Sequence, residues 1–262
     1  MRIVAKTLQS LEEPLARELA RLGGENISTF NRAVSCTGDL EFLYRVNLYS
    51  QCALRVLIPL KSFDLSGPDD LYSTGKTIHW EEWFDLHRTF AIYASGHHPR
   101  IQHTGFAALK LKDAIVDRYR QKTGDRPSVD TEDPDIRIEL QISHNKGRIL
   151  IDSSGDSLHM RGYKQRTGKA PINEVLAAGL LDLMGWTPDQ TLMVPMCGSG
   201  TFGIEAAFKA SGRSPQGGRS NFALRNWENY AHKLWTKIRE EHTKTSPPDQ
   251  PGIHCSDKTR TM

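Results

Sequence analysis

The 262-residue sequence predicts an α+β region followed by the beginning of an α/β unit. Three observations carry that reading. From Ile3 to Leu60, alternating apolar runs and helically spaced leucines succeed one another as strand, helix, strand, helix, strand. Further on, a short apolar run, Leu192-Met-Val194, meets a tight turn, Pro195 to Gly200, and then a helix-forming segment. That order opens a Rossmann-like sheet. Only one more strand-like run follows, Ile253 to Asp257, whereas a doubly wound sheet takes about five strands or more. The expected α/β unit is therefore incomplete and lacks its later strands.

The elements follow in order. Ile3–Leu8 alternates as a strand, and Leu11, Leu15, Leu19 and Leu22 mark a helix that stops at Gly23-Gly24. Arg32–Thr37 is a second strand, and Gly38-Asp39 has turn chemistry, with Asp39 placed to cap a helix over Leu40–Asn47. Cys52–Leu60 is a β-branched, aliphatic strand. The natural assembly of these pieces is a small ferredoxin-like unit.

Ser66-Gly-Pro68 marks a boundary, and Leu71–Ile78 with Trp80 and Trp83 predicts a short helix packing aromatics. Thr89–Ala94 reads as a strand, Phe106–Tyr119 as an amphipathic helix, and Asp135–Ile142 as a strand. Asn145-Lys-Gly147 is the expected turn of a hairpin returning along Arg148–Ser153. From Arg161 the character changes. Pro171 is expected to open a helix over Ile172–Met184 that ends at Gly185-Trp186. After the glycine loop come a turn-rich stretch, Ser211–Asn221, a helix over Tyr230–His242, and a linker from Thr243 to Gly252 holding Pro247-Pro248.

Composition narrows the class. Hydrophobic residues make up 38% and charged residues 25%, the balance of a globular chain, and no apolar run approaches the roughly 20 residues that span a bilayer. The N-terminus interrupts its apolar residues too soon for a signal peptide. Cys36, Cys52, Cys197 and Cys255 have no CxxC spacing, so buried, reduced thiols and a cytoplasmic location are expected. His97, His98 and His103 lack further ligands at metal-binding spacing and read as a polar loop, so no metal is expected. The net charge of +3 permits nucleic-acid binding without demanding it. Local clusters say more: Lys110, Lys112, Arg118, Arg120, Lys122 and Arg126 crowd one segment, diluted by Asp113, Asp117 and Asp125, and Arg161, Lys164, Arg166 and Lys169 crowd another. Both clusters are also compatible with solvated helix faces.

Glycines let the loop at 195–200 turn sharply, and the free amides of the following helix offer hydrogen bonds and partial positive charge to an anion. A nucleotide-like cofactor with an anionic group is the implied ligand. Gly198-Ser-Gly200-Thr-Phe-Gly203 satisfies G-x-G-x-x-G, but the zone about 20 residues on, Arg219–Arg225, is basic and lacks the acid that a dinucleotide site requires. A P-loop is excluded because no Gly-Lys-Ser/Thr follows the glycines. Asp257 is the acid that does follow a strand.

Pro195-Met-Cys-Gly-Ser-Gly-Thr-Phe-Gly-Ile-Glu-Ala-Ala207 resembles the first motif of class I S-adenosylmethionine-dependent methyltransferases that modify RNA, which reads Asp-Pro-Met-Cys-Gly-Ser-Gly-Thr. Asp152–Tyr163 resembles the junction between a THUMP domain and that methyltransferase domain. Lys112–Asp117, Arg126–Asp130 and Pro134–Arg137 resemble the THUMP domain itself, Ala170–Ala178 the helix before the glycine loop, and Phe222–Trp227 the insertion before the second strand. The resemblance covers essentially the whole chain and is to THUMP-containing methylases of large-subunit ribosomal RNA that form N2-methylguanosine. Relatives of that group are often labelled N6-adenine-specific methylases.

The resemblance implies an enzyme that moves a methyl group from S-adenosylmethionine to an exocyclic base nitrogen, guanine N2, of ribosomal RNA. Backbone amides of Cys197, Gly198, Ser199, Gly200 and Thr201 would receive the methionyl carboxylate, Asp257 would accept hydrogen bonds from the ribose hydroxyls, and Pro171 would border the pocket. Lys110, Lys112, Arg118, Arg126 and Arg161 are the candidate RNA contacts. Two departures from the family pattern stand out. Val194 occupies the strand-end position where aspartate is usual, and the catalytic Asn/Asp-Pro-Pro-Tyr/Phe motif belongs after a fourth strand that this chain does not reach. Ser246-Pro-Pro-Asp249 imitates that motif but lacks the aromatic residue and precedes the second strand, so it reads as linker and no catalytic residue is assigned. The expected segments are 1–62, ferredoxin-like; 63–160, THUMP; and 161–262, the incomplete methyltransferase domain. The competing expectation is a catalytically inactive THUMP RNA-binding module or gene fragment.

Overall fold

The computed structural model describes residues 1–101, 103–164, 171–244 and 252–258. They gather into two compact units, one made of Met1–Val56, Asp156–Ser220 and Ala231–Met262, the other of Leu57–Gly155 with Asn221–Tyr230. The N-terminal α+β region and the glycine-loop region share one unit. The linker reading of Ser246–Asp249 and the cluster members Arg166 and Lys169 lie outside the described residues.

In the first unit, strand β1 (Arg2–Lys6), helix α1 (Glu12–Arg21), strands β2 (Glu25–Phe30) and β3 (Ala33–Thr37) and helix α2 (Leu40–Tyr49) build the ferredoxin-like part. The strand order is β2-β3-β1, antiparallel, with Ile3 opposite Cys36 and Ser28 opposite Ser35. Strand β2 has no counterpart in the sequence reading. Glu25-Asn-Ile-Ser-Thr-Phe30 buries no residue fully and carries no apolar alternation, so it offers none of the period-two signal on which strand prediction depends. Ile3, Leu15, Leu19, Val34, Leu43 and Val46 are completely buried and form the core between sheet and helices.

Asp39 caps α2 as its position suggests, Oδ1 accepting from the Phe42 amide at 2.7 Å. Asp39→Ala removes that acceptor and is expected to lower stability by about 1 kcal/mol, read by denaturant unfolding.

The same unit contains helix α5 (Glu174–Leu183), β8 (Leu192–Val194), α6 (Thr201–Ser211), α7 (His232–Lys244) and β9 (Ile253–Cys255). Strands β8 and β9 pair in parallel, with Val194 opposite Cys255. Leu181, Trp186, Leu192 and Ala206 form a small core, with Val194, Phe202 and Ile253 packed against it. Helix α5 spans Glu174–Leu183, and its cap is Asn173, whose Oδ1 accepts from the amides of Val175 and Leu176 at 2.9 and 3.3 Å. Pro171 therefore does not open the helix. It lies outside the first turn, where a side-chain acceptor, not a fixed φ, sets the start. Gly179 lets α5 approach the N-terminal region closely, since a Cβ there would lie 2.5 Å from Leu11 Cδ1.

The second unit is a four-stranded sheet covered by helices. Its strand order is β4 (Arg55–Asp64), β7 (Lys146–Asp152), β6 (Ile136–Ser143), β5 (Phe90–His97), and β4 begins in the first unit and continues into this one. Strands β5 and β6 are parallel and the other pairs antiparallel. The β6–β7 turn is His144-Asn145, with His144 at φ +51°, one position earlier than the sequence suggests. Gly147 lies inside β7 instead, where a Cβ would sit 2.3 Å from Phe63 Cζ, so this glycine answers to packing and not to the turn. Helices α3 (Pro68–Thr77) and α4 (Thr104–Thr123) meet at Gly75, where a Cβ would press on Leu111 and Ala114. His103 caps α4, its Nδ1 accepting from the Phe106 amide at 2.9 Å, and Gly124 ends the helix at φ +81°.

Candidate functional site

Three clusters collect the residues singled out in the sequence, and each is built by its local chain. The glycine loop leaves β8 at Val194 and enters α6 at Thr201. Gly198 and Gly200 have φ of +52° and +77°, in the left-handed region that glycine tolerates best. A Cβ at Gly198 would meet nothing, and one at Gly200 only Ile204 at 3.9 Å, so the space beside both is open. The loop is tied down from inside and from β9. The Gly200 amide donates to Cys197 O at 2.8 Å, the Cys197 amide to Ser256 O at 3.0 Å, and the Ser256 amide to Val194 O at 3.0 Å.

Asp257, distant in sequence, meets the loop directly: its Oδ2 accepts from the Gly198 amide at 3.0 Å. The hydroxyls of Ser199 and Thr201 lie 3.2 Å apart at the helix entrance. Gly203 permits close helix–strand packing, since a Cβ there would fall 2.4 Å from Cys255 Sγ. First-turn amides of a helix have no intrahelical acceptor. Five of the seven candidate cofactor residues, Cys197 to Thr201, thus form one open turn with Asp257 at its side; the amides of Cys197, Gly198 and Gly200 are taken by Ser256 O, Asp257 and Cys197 O, and those of Ser199 and Thr201 are left to receive an anionic group next to a hydroxyl-bearing one. Pro171 is exposed, and residues 165–170 before it lie outside the described residues. Val194 is half-buried against the small core, so the position where aspartate is usual serves packing here.

Beneath α6 lies an ion pair that sequence reasoning assigned differently. Arg161, a candidate RNA contact, has a fully buried side chain whose Nε donates to Glu205 Oε1 at 2.7 Å. Its Nη2 also donates to Gln51 O at 2.7 Å. Tyr163 Oη donates to Glu205 Oε1 at 2.9 Å, and Gln51 Nε2 to Glu205 Oε2 at 3.0 Å. Burial pushes the Glu205 carboxyl up, opposed by Arg161 and these hydrogen bonds. Nearby, Glu18 accepts from Ser50 Oγ at 2.5 Å and from the Gln51 amide at 2.6 Å. The N-terminal region is thereby joined to the helix that starts at the glycine loop. A guanidinium enclosed in this way cannot reach a phosphate, which corrects the role expected of Arg161.

The third cluster lies in the second unit. Tyr72, Lys110, Lys112, Asp113, Asp117, Arg120, Arg126 and Ser128 are among the residues lining a recess of about 560 Å³. Lys110, Lys112 and Arg126, separated in sequence, come together there, and Arg120 joins them. Lys112 pairs with Asp113 at 2.7 Å, and Tyr72 donates to Asp117 at 2.8 Å, a hydrogen bond that holds the Tyr72 phenol above its ordinary range. Lys110 lies over the Phe106 ring at 5.7 Å. Among the described residues neither Lys110 nor Arg126 is held in an ion pair. Arg118 is not part of this group. It donates from Nε and Nη2 to Glu81 at 2.9 and 2.8 Å and from Nη1 to Lys76 O at 2.8 Å, a structural clamp that replaces its expected RNA contact. That clamp, joined by Lys122, holds the Glu81 carboxyl well below the usual carboxylate range. The charge cluster in the sequence could not separate Arg118 from Arg126, because the partner acid lies 37 residues away in the chain.

Comparison with known proteins now bears on these clusters. Residues 2–57 match the RlmL ferredoxin-like domain, 66–152 the THUMP domain, and 161–262 the RMKL-like methyltransferase domain. A solved Listeria monocytogenes protein, described as an N6-adenine-specific DNA methylase, superposes with a TM-score of 0.88 at 30% identity, covering 98% of this chain and 68% of that one. The chain belongs to the THUMP-containing class I methyltransferase family. A methyltransferase solved in complex with SAH also superposes with a TM-score of 0.88, at 27% identity over 100% of this chain and 69% of its own. The ribosomal RNA large subunit methyltransferase K/L of Magnetococcus marinus is 41% identical over 268 aligned residues, all of this chain but 37% of that protein. A Synechocystis protein named as an RNA methyltransferase is 39% identical over 89% of this chain and 61% of its own length. The chain thus spans between about a third and two thirds of these two relatives. Among the described residues no helix is long and apolar enough to cross a membrane.

Proposed function

We propose that this chain supplies the RNA-gripping and cofactor-holding parts of a cytoplasmic methyltransferase that acts on large-subunit ribosomal RNA. The cofactor is S-adenosylmethionine, and the acceptor is an exocyclic base nitrogen, guanine N2. The observation that carries the reading is the meeting of Asp257 with the amide-lined glycine loop. S-adenosylmethionine joins a carboxylate to a ribose diol through a sulfonium, and a helix N-terminus beside a carboxylate complements both ends. The sulfonium supplies the methyl group.

In this reading the amides of Ser199 and Thr201, which the hydrogen bonds of the loop itself leave over, hold the methionyl carboxylate. Asp257 keeps one oxygen on the Gly198 amide, which fixes the carboxylate in place, and accepts from ribose hydroxyls. Lys110, Lys112, Arg120 and Arg126 grip RNA phosphates, leaving the target base to be unstacked and positioned. The K/L name of the Magnetococcus relative and the THUMP match favour ribosomal RNA over DNA. The family's Asn/Asp-Pro-Pro-Tyr/Phe motif does not occur in this sequence, so methyl transfer would draw its catalytic motif from polypeptide outside it.

Asp257→Ala tests the assignment. Loss of a charge-assisted hydrogen-bond acceptor is expected to weaken S-adenosylmethionine binding by about tenfold or more, measured by equilibrium dialysis. An unchanged dissociation constant would remove Asp257 from the site and the main support with it.

A further inference from the structure

The proposed cofactor role uses the backbone of Cys197 and leaves its thiol, and that of Cys255, without a task. The two stand together. Strand pairing sets Val194 opposite Cys255, and the Cys197 amide donates to Ser256 O at 3.0 Å, which draws the first residue of the glycine turn onto the end of β9. Burial and the neighbouring Cys197 thiol raise the Cys255 thiol above its ordinary range. Cys255 is exposed and Cys197 half-buried, so solutes reach both. The other two cysteines differ. Cys36 and Cys52 are buried at 1% and 4% exposure. Burial closes both off from solutes and pushes the Cys36 thiol up to about 11.

We infer that Cys197 and Cys255 form a reversible redox pair, joined as a disulfide by hydrogen peroxide, which lowers the affinity of the glycine loop for its cofactor. The inference rests on the cofactor reading only for its second half. Cys197 lies in the loop that leads into α6. Its sulfur attacks the peroxide oxygen, the O–O bond breaks, and a sulfenic acid and one water form. The Cys255 sulfur then displaces the hydroxyl as a second water, forming the S–S bond. The two thiols lose two electrons and two protons, and the peroxide is reduced to two waters.

A disulfide holds the two Cβ atoms about 3.8 Å apart at a fixed torsion. That constraint would fall on the residue whose thiol now faces Gly198 O at 3.8 Å and whose amide belongs to the cofactor turn. Thiol reductants would restore the loop.

The experiment treats the purified chain with stoichiometric hydrogen peroxide and maps its peptides by mass spectrometry, beside the Cys255→Ser variant. The expected result is one reductant-sensitive link between the peptides holding Cys197 and Cys255, absent in the variant, with Cys36 and Cys52 unchanged. S-adenosylmethionine affinity is then measured before oxidation, after it, and after reduction, and is expected to fall by about fivefold or more and to recover. Absence of the link, or a link with unaltered affinity, would overturn the inference. The peptide map needs no cofactor, so a chain that forms the link yet binds no S-adenosylmethionine even when reduced would sink the cofactor reading and leave the thiol chemistry standing.

Discussion

Glu205→Ala is expected to lower the stability of the first unit by about 3–5 kcal/mol, because it leaves a guanidinium charge buried without its partner. Both side chains of the Arg161–Glu205 pair are inaccessible to solvent. Arg161 would retain its carbonyl contacts to Ser50, Gln51 and Leu158, but none of these neutralises it. For a protein of this size the change corresponds to a fall in Tm on the order of 10 °C, read by calorimetry. The variant Arg161→Met carries a similar penalty from the opposite side, an unpaired carboxylate still bonded to Tyr163 and Gln51. The double variant Arg161→Met with Glu205→Leu is expected to lose less than the sum of the two, since no isolated charge remains. Additive losses would mean that the pair carries no coupling and that the arrangement is incidental.

The second large effect concerns RNA. Reversing Lys110, Lys112 and Arg126 to glutamate in one variant is expected to weaken binding to structured ribosomal RNA by at least about tenfold at low salt. If each cation neutralises one phosphate, the slope of log affinity against log salt falls by about 2–3. All three side chains line one recess and lie on the rim of a folded helix and its following segment, so the fold should survive, which a thermal melt checks. A parallel variant, Arg118→Gln, separates charge from structure. Its guanidinium is clamped by Glu81, so it should lower stability and leave the salt slope unaltered. A folded triple variant that binds RNA as well as the parent would place the RNA surface elsewhere.

These two sets of residues mark where sequence reading succeeds and where it stops. Elements with a strong period were legible: the α1 leucines, the capped helix after Asp39, and the strand–loop–helix at 192–211. Strand β2 was not, because an exposed edge strand of polar residues carries no burial pattern. The β6–β7 turn was displaced because Gly147 invited a turn, although its lack of a side chain serves Phe63 instead. The glycine loop was legible from its own residues, while the closeness of Asp257 to it followed from family resemblance and not from spacing. Arg161 and Arg126 look alike in sequence, each a basic residue in a basic cluster. What distinguishes them is a carboxylate 44 positions away that claims one and leaves the other at the surface. Long-range pairing of that kind decides whether a cation is structural or available, and a single sequence does not record it. The same limit applies to the thiols: four scattered cysteines read as buried, yet Cys255 is exposed and Cys197 only half-buried.

The most direct measurement is a calorimetric titration of the reduced 262-residue chain with S-adenosylmethionine, with S-adenosylhomocysteine and NAD in parallel. The account predicts saturable binding of the first two at one site per chain and none of NAD, because the acid at Asp257 and the amide-lined turn suit a carboxylate joined to a single ribose. Binding of NAD alone, or of none of the three, would contradict the claim that the glycine loop and Asp257 form a methyl-donor site.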